Sequence, residues 1–333
     1  MPSLRPPVAV TPRAAVPGAR VTLRLAHFDL DRYPRPIVRI GGLPARVVFA
    51  SDHALGILVP ENVPGPRAEV LVEGTEGGAE LHVGQQIATD LHQVDSPVFD
   101  DAGNLYVTDS GTRGQRVAVS VFRVRPDGRR EPFVSGIVNA TSMAIGPDRL
   151  LYVSSRFEGK VYRVDRGGRP VAIGSDLGVT CGLAFAADGT LFVGDRSGTI
   201  FRLDPASGAA RIHASLPPSV AAFHLAIGDD DSLFVTAPTL SSHDDLYRVD
   251  RDGGVSVVSA EFGRPQGLAY RRGRLYVVDA AAGWNGVYRV GAAGKVEAIV
   301  AGANLIGFAF DPAGGFVVTS NDTVYRFGKG LRL

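Results

Sequence analysis

The chain has 333 residues, 45% hydrophobic and 21% charged, which is enough apolar material for one large or two smaller cores. Its 35 basic and 34 acidic residues leave a formal charge of +1, which excludes a nucleic-acid footprint of the electrostatic kind. The 41 glycines and 22 prolines are spread evenly, which excludes a long-helix protein and points to many tight turns.

Residues 1–84 read as one unit. MPSLRPPVAV at the start lacks the long apolar stretch of a secretory signal, and no run in the chain approaches the ~20 residues of a membrane span. The expectation is a cytoplasmic protein with neither membrane nor nucleic acid as partner. Val21-Thr22-Leu23-Arg24-Leu25 and Ala68-Glu69-Val70-Leu71-Val72 alternate as strands with one buried face. Pro17-Gly18, Gly41-Gly42 and Pro64-Gly65 mark turns between strands. Roughly seven short strands in this length predict a small β-sandwich. Thr11-Pro12, Pro17-Gly18 before Val21-Thr22-Leu23, Gly41-Gly42 with Ala45 and Val47, Val59-Pro60 and Gly65 form an ordered set. In these residues the segment resembles the IPT/TIG family of immunoglobulin-like domains, which implies a structural or docking module.

Residues 85–333 repeat. An aromatic followed by Val recurs at Tyr106, Tyr152, Phe192, Phe234, Tyr276 and Phe316, in steps of 46, 40, 42, 42 and 40 residues. An aromatic followed by Arg recurs in phase, at Phe122-Arg123, Tyr162-Arg163, Phe201-Arg202, Tyr247-Arg248, Tyr288-Arg289 and Tyr325-Arg326. Runs such as Gly182-Leu183-Ala184-Phe185 and Gly267-Leu268-Ala269-Tyr270 open each unit. Four short strands per unit make a β-propeller blade. The chain ends on the third strand of blade six, so the spare segment 86–92 is expected to pair there and close the ring. The expected fold is therefore all-β: an immunoglobulin-like sandwich followed by a six-bladed propeller.

Asp95-Ser96-Pro97-Val98-Phe99, Asn104-Leu105-Tyr106-Val107-Thr108-Asp109-Ser110-Gly111 and the repeated Asp-Gly turns carry a second resemblance. The repeats resemble the NHL-repeat and gluconolactonase/regucalcin-like superfamily, which holds hydrolases, lyases and binding scaffolds. In its lactonases the resemblance implies a divalent metal at the channel mouth, such as Ca²⁺ or Zn²⁺, held by a carboxylate before the first strand of blade one and by Asn or Asp at the equivalent later places. Those places here hold Asp95, Thr141, Cys181, Phe223, Gln266 and Ile306. Asp95 alone survives as a ligand position, so no metal or other cofactor is expected.

Blade geometry puts the start of strand one and the end of strand two on one face. The ends of strand two are expected at Asp109, Ser155, Asp195, Ala237, Asp279 and Thr319. Asp109, Asp195 and Asp279 read either as a ring that binds a polyhydroxylated ligand or as caps of the following turn. His224 breaks the small-residue rule of strand one and stands across the ring from Asp95; it reads as a channel-lining side chain or as a general base. Cys181, the only cysteine, excludes an internal disulfide and reads as a buried apolar group or a nucleophile. Trp284 either packs on the rim or stacks a ligand. The expected function is a metal-free scaffold that takes a small polar ligand or a protein loop at Asp95, Asp109, Cys181, Asp195, His224, Gln266, Asp279 and Trp284. The alternative is a lactonase-type hydrolase in which Asp95 and His224 are the catalytic candidates.

Overall fold

Alternation decides the N-terminal strands. In the computed structural model, which describes residues 8–280 and 285–331, Arg20–Leu25 buries Val21, Leu23 and Leu25 and turns Arg20 and Arg24 outward. Arg67–Val72 buries Ala68, Val70 and Val72 in the same way, because successive strand residues face opposite sides. The strands lie in the order Val8–Thr11, Arg20–Leu25, Ala54–Leu58, Leu43–Ser51, Val38–Ile40, Arg67–Val72, Ala79–Val83. Leu43–Ser51 is the corner. Its first residues pair with Val38–Ile40, and its later ones pair with Ala54–Leu58 across a bulge between Val47 and Phe49. Gly41 and Gly42 close the two-residue turn from Ile40 to Leu43 with φ +56° and +82°, the pair of positive angles that a tight hairpin needs.

A two-residue strand joins this region to the rest. Ala14–Ala15 pairs in parallel with Ala79–Val83 on one side and with Val296–Ala301 on the other. Val16 N–H donates to Ala301 O at 2.9 Å, and Gly84 N–H donates to Ala15 O at 3.0 Å. The apolar core runs through the joint without a break, from Val21, Ile40 and Leu81 to Val300, Leu305, Phe308 and Phe327. The short link near residue 84 is thus backed by a shared sheet and a shared core.

The remainder is an all-β propeller. Val98–Phe99, Leu105–Thr108, Val121–Val124 and Arg130–Val134 form one free-standing four-stranded sheet. Others follow from Ala140–Ile145, Thr180–Phe185 and His224–Ile227 as innermost strands. A fifth combines Leu305–Phe310, Phe316–Ser320 and Val324–Phe327 with Gln85–Ala88. This last pairing sets Ala88 opposite Val324 and Gln86 opposite Tyr325. Leu91 and Gln93 then donate backbone N–H groups to Asp322 O and Asn321 O. A further antiparallel run, Pro265–Arg271, Arg274–Asp279, Gly286–Val290 and Val296–Ala301, continues through Ala14–Ala15 into the N-terminal strands.

The sequence markers report strand register. Tyr106, Tyr152, Phe192, Phe234 and Tyr276 stand opposite Arg123, Arg163, Arg202, Arg248 and Arg289. In the C-terminal sheet Val317, not Phe316, faces Arg326. Its aromatic marker is shifted by one residue, and the strand ends at Ser320 where Thr319 was expected. Phe316 instead stacks on Phe327 at 4.8 Å. Most of the recurring arginines bind carboxylates of their own sheets, as in Arg163–Asp148 at 2.8 Å and Arg248–Asp230 at 2.6 Å, while Arg202 donates to Arg251 O and lies over the Phe192 ring.

Innermost strands crowd the axis. A Cβ on Gly182 would lie 2.6 Å from Phe223 O, and one on Gly267 would lie 2.5 Å from Ile306 O. Where serine replaces glycine, its hydroxyl ties neighbours together. Ser142 Oγ accepts the Leu183 N–H at 3.1 Å, and Ser96 Oγ accepts the Phe308 N–H at 3.3 Å.

Candidate functional site

The residues that open the innermost strands meet at one end of the axis. Thr141, Cys181 and Gln266 are buried there, each preceding its strand's small residue, and Phe223 is buried before His224. Ser154 and Thr236, on second strands, donate their hydroxyls to Cys181 O and Gln266 O of the next sheet. These bonds tie each of these sheets to the next beside the axis.

Two side chains cross it. His224 Nδ1 donates to Asp95 Oδ1 at 2.6 Å, and both groups are buried. The same carboxylate oxygen accepts the Ser96 N–H at 2.6 Å. The sequence placed these residues on opposite sides of the ring, 129 positions apart; the imidazole spans that distance where its counterparts in other sheets are small, Ser142, Gly182, Gly267 and Gly307. With Nδ1 engaged, the ring orientation and the tautomer are set by the carboxylate. Nε2 is buried and has no hydrogen-bond partner among the described residues. Leaving such an atom unmatched costs about 1–3 kcal/mol. Beyond the pair the axis is a cavity of about 300 Å³. Met143, Leu183, Leu225, Leu268 and Phe308 line it, and among the described residues Asp95 is its only charged lining residue.

The other sequence candidates divide. Asp195 accepts the Val179 N–H at 2.7 Å and the Ser197 hydroxyl, and Asp279 accepts the N–H groups of Gly263 and Arg264 at 3.0 and 2.8 Å. Both carboxylates therefore clamp the backbone that leads into their own sheet's first strand, rather than only the turn after strand two that the sequence suggested. Ser155 does the same work in the preceding sheet by donating to Val138 O. Asp109 is half-buried and bridges His92 through its backbone. Cys181 donates to Val179 O, and burial pushes its thiol up to about 12, so it is no thiolate nucleophile at neutral pH. Trp284 lies outside the described residues.

Three residues escaped the sequence reading. Asn139 is fully buried and donates to Ser110 O at 2.5 Å and Thr112 O at 2.8 Å while accepting the Gly114 N–H. It pins the loop after Thr108, and nothing in its local motif distinguishes it. Arg156 and Arg196 follow the strand ends Ser155 and Asp195 directly. The available signal was that shared position, obscured by an overall excess of arginine.

The metal set implied by the lactonase resemblance does not fit these residues. Asp95 is already bonded to an imidazole, the Cys181 thiol holds its proton, and Thr141, Phe223, Gln266 and Ile306 supply no further anionic oxygen. Among the described residues no group of three or more His, Cys, Asp or Glu side chains is placed to hold a metal ion.

No protein-family model matches the chain, and no curated protein matches it in sequence. Solved structures do match. A protein of unknown function from Bacteroides thetaiotaomicron VPI-5482 aligns over 98% of this chain and 98% of its own, with 16% identity and a TM-score of 0.61. An auxiliary nutrient binding protein from Bacteroides ovatus ATCC 8483 aligns over the same shares, with 15% identity and a TM-score of 0.56. A gluconolactonase from Xanthomonas campestris covers 72% of this chain and 88% of its own, with 18% identity and a TM-score of 0.61. The chain thus has the all-β propeller fold, with gluconolactonase-like proteins among its structural neighbours.

Proposed function

We propose that this chain is a metal-free ligand-binding module that takes a small polar ligand at the channel mouth. In this reading residues 1–84 are an immunoglobulin-like sandwich and residues 85–333 a six-bladed propeller, with the strands of 265–301 counted as a blade. The corner strand Leu43–Ser51 supports the sandwich. Innermost strands packed in succession around the axis, Pro265–Arg271 among them, support the blade count.

The observation that carries the function is the Asp95–His224 pair. A carboxylate fixes the imidazole and leaves Nε2 as a buried polar atom at the axis, without a partner among the described residues. A ligand hydroxyl or amide supplies that partner, and Gln266 adds an amide at the same level. The full-length likeness to an auxiliary nutrient binding protein agrees with small-ligand binding. The same geometry favours one second reading, a gluconolactonase-like hydrolase in which Nε2 takes a proton from water or substrate.

Calorimetric titration of polar small molecules separates the two readings. Binding that weakens about tenfold or more in His224→Ala, without turnover, is the expected result. Retention of stoichiometric divalent metal by the purified protein overturns it, as does hydrolysis of a lactone that His224→Ala abolishes.

A further inference from the structure

We propose that the ligand carries an oxyanion, a carboxylate or a phosphoryl group, and that Arg156 and Arg196 receive it beside the Asp95–His224 pair. This deepens the reading of the mouth as a ligand site and rests on it.

Position is the first argument. Ser154 donates to Cys181 O of the next sheet, and Arg156 lies two residues further along the same edge. Gly194 packs against Phe223, the neighbour of His224, and Arg196 lies two residues beyond it. The two guanidinium groups therefore follow equivalent strand ends on adjacent sheets, on the face that holds Asp95 and His224.

Charge is the second. Most arginines of the third strands have carboxylate partners, as Arg123 has Glu131 and Arg248 has Asp230, while Arg202 donates to Arg251 O. Arg156 and Arg196 have neither an ion-pair nor a side-chain hydrogen-bond partner among the described residues. Arg156 is half-buried, and burial draws its guanidinium below its ordinary value; the groups that act on it are the Cys181 thiol and the Arg196 guanidinium. The first holds its proton and the second repels. Asp95 is engaged by His224 and Glu158 by the Val138 N–H. A half-buried cation beside an exposed like charge, with no acid paired to either among the described residues, suits an anion that arrives from outside. The planar fork of arginine accepts a carboxylate or phosphoryl group through paired N–H donors.

His224 supplies the independent observation. Its buried Nε2 has no partner among the described residues and lies on the same face. A polyhydroxylated acid meets both demands, with a hydroxyl at Nε2 and the acid group at the arginines.

The test is calorimetric titration of the full chain with glucuronate, glucose 6-phosphate and glucose. At least one acid is expected to bind about tenfold or more tightly than glucose, and which acid does so distinguishes carboxylate from phosphoryl recognition. The double variant Arg156→Gln, Arg196→Gln should lose that preference while leaving glucose affinity unchanged. Its ligand-free melting temperature should stay level or rise, whereas a structural role for these arginines predicts a fall. Equal affinity for glucose and both acids overturns the proposal, as does acid affinity that survives in the double variant or absence of acid binding at millimolar concentration. If His224→Ala weakens glucose and both acids alike without any acid preference, the mouth still binds ligand and only the oxyanion assignment fails. Acid binding that needs the arginines but ignores His224 removes the mouth reading instead.

Discussion

The joint between the N-terminal strands and the propeller and the mouth of the propeller axis solve opposite problems. At the joint, Ala14–Ala15 fills the gap between two sheets, and Val300, Leu305 and Phe308 are sealed in one core. At the mouth, Gln93 Oε1, Ser110 Oγ, His224 Nε2 and Thr319 Oγ1 are buried with no partner among the described residues. Three further such atoms, Arg202 Nε, Asp244 Oδ2 and Arg326 Nε, lie on third strands, whereas the four at the mouth share the face that the blade geometry leaves open. A fold satisfies its polar groups where it must hold, and departs from that where another molecule completes the set.

The comparison is broken most directly at the joint. Val300→Asp places an unpaired carboxylate where the side chain is 1% exposed, and should destabilise the whole chain by about 4 kcal/mol or more. Chemical denaturation reads this, and a loss below 1 kcal/mol would show that the two regions do not share a core. Next come the residues of the mouth. Asp95→Ala and His224→Ala, combined in a double-mutant cycle, should couple by about 1.5–3 kcal/mol, because the hydrogen bond involves a charged acceptor. Additive losses would show that the pair does not act as a unit. Gly267→Ala drives a methyl into Ile306 O, which is backbone and cannot rotate away, so about 1–3 kcal/mol should be lost.

Alkaline pH sharpens the same contrast. The Cys181 thiol is raised by burial from 9.0 to about 12, so its contribution is complete below pH 9 and is lost as pH climbs from about 9 to about 12, where the unfolded chain ionises first. Cys181→Ala should flatten that part of the stability profile, and unchanged alkaline loss would remove the thiol as its source. The smallest effect belongs to the outer surface. Arg163→Gln, which breaks the ion pair with Asp148, should change stability by about 0–1 kcal/mol.

Much of the fold was legible because the repeat markers encode register. An aromatic before Val and an aromatic before Arg place strands two and three against each other, as Tyr152 against Arg163 and Val153 against Tyr162 show. The C-terminal sheet misled by one residue, since Phe316 sits where other sheets carry a leucine. Ala14–Ala15 was invisible: two alanines carry no pattern, and their role comes from the sheets on either side. At the mouth, the break in small-residue spacing exposed His224, but its bond to Asp95 depends on closure of the ring. The aspartates at 195 and 279 could not be assigned from position, because a clamp on backbone N–H groups and a ligand ring require the same residue at the same place.

Closure by Gln85–Ala88 also has a consequence in time. This strand leaves the ribosome before any propeller sheet, while its partner Val324–Phe327 follows more than two hundred residues later. At roughly 5–20 residues per second, that separation lasts on the order of tens of seconds. Throughout that interval a nascent chain presents an unpaired edge, and a neighbour on the same message presents an identical one. Exchange of this strand between two copies is the misassembly that this order of synthesis would favour, and slow release of the C-terminal sheet is the condition that would bring it out.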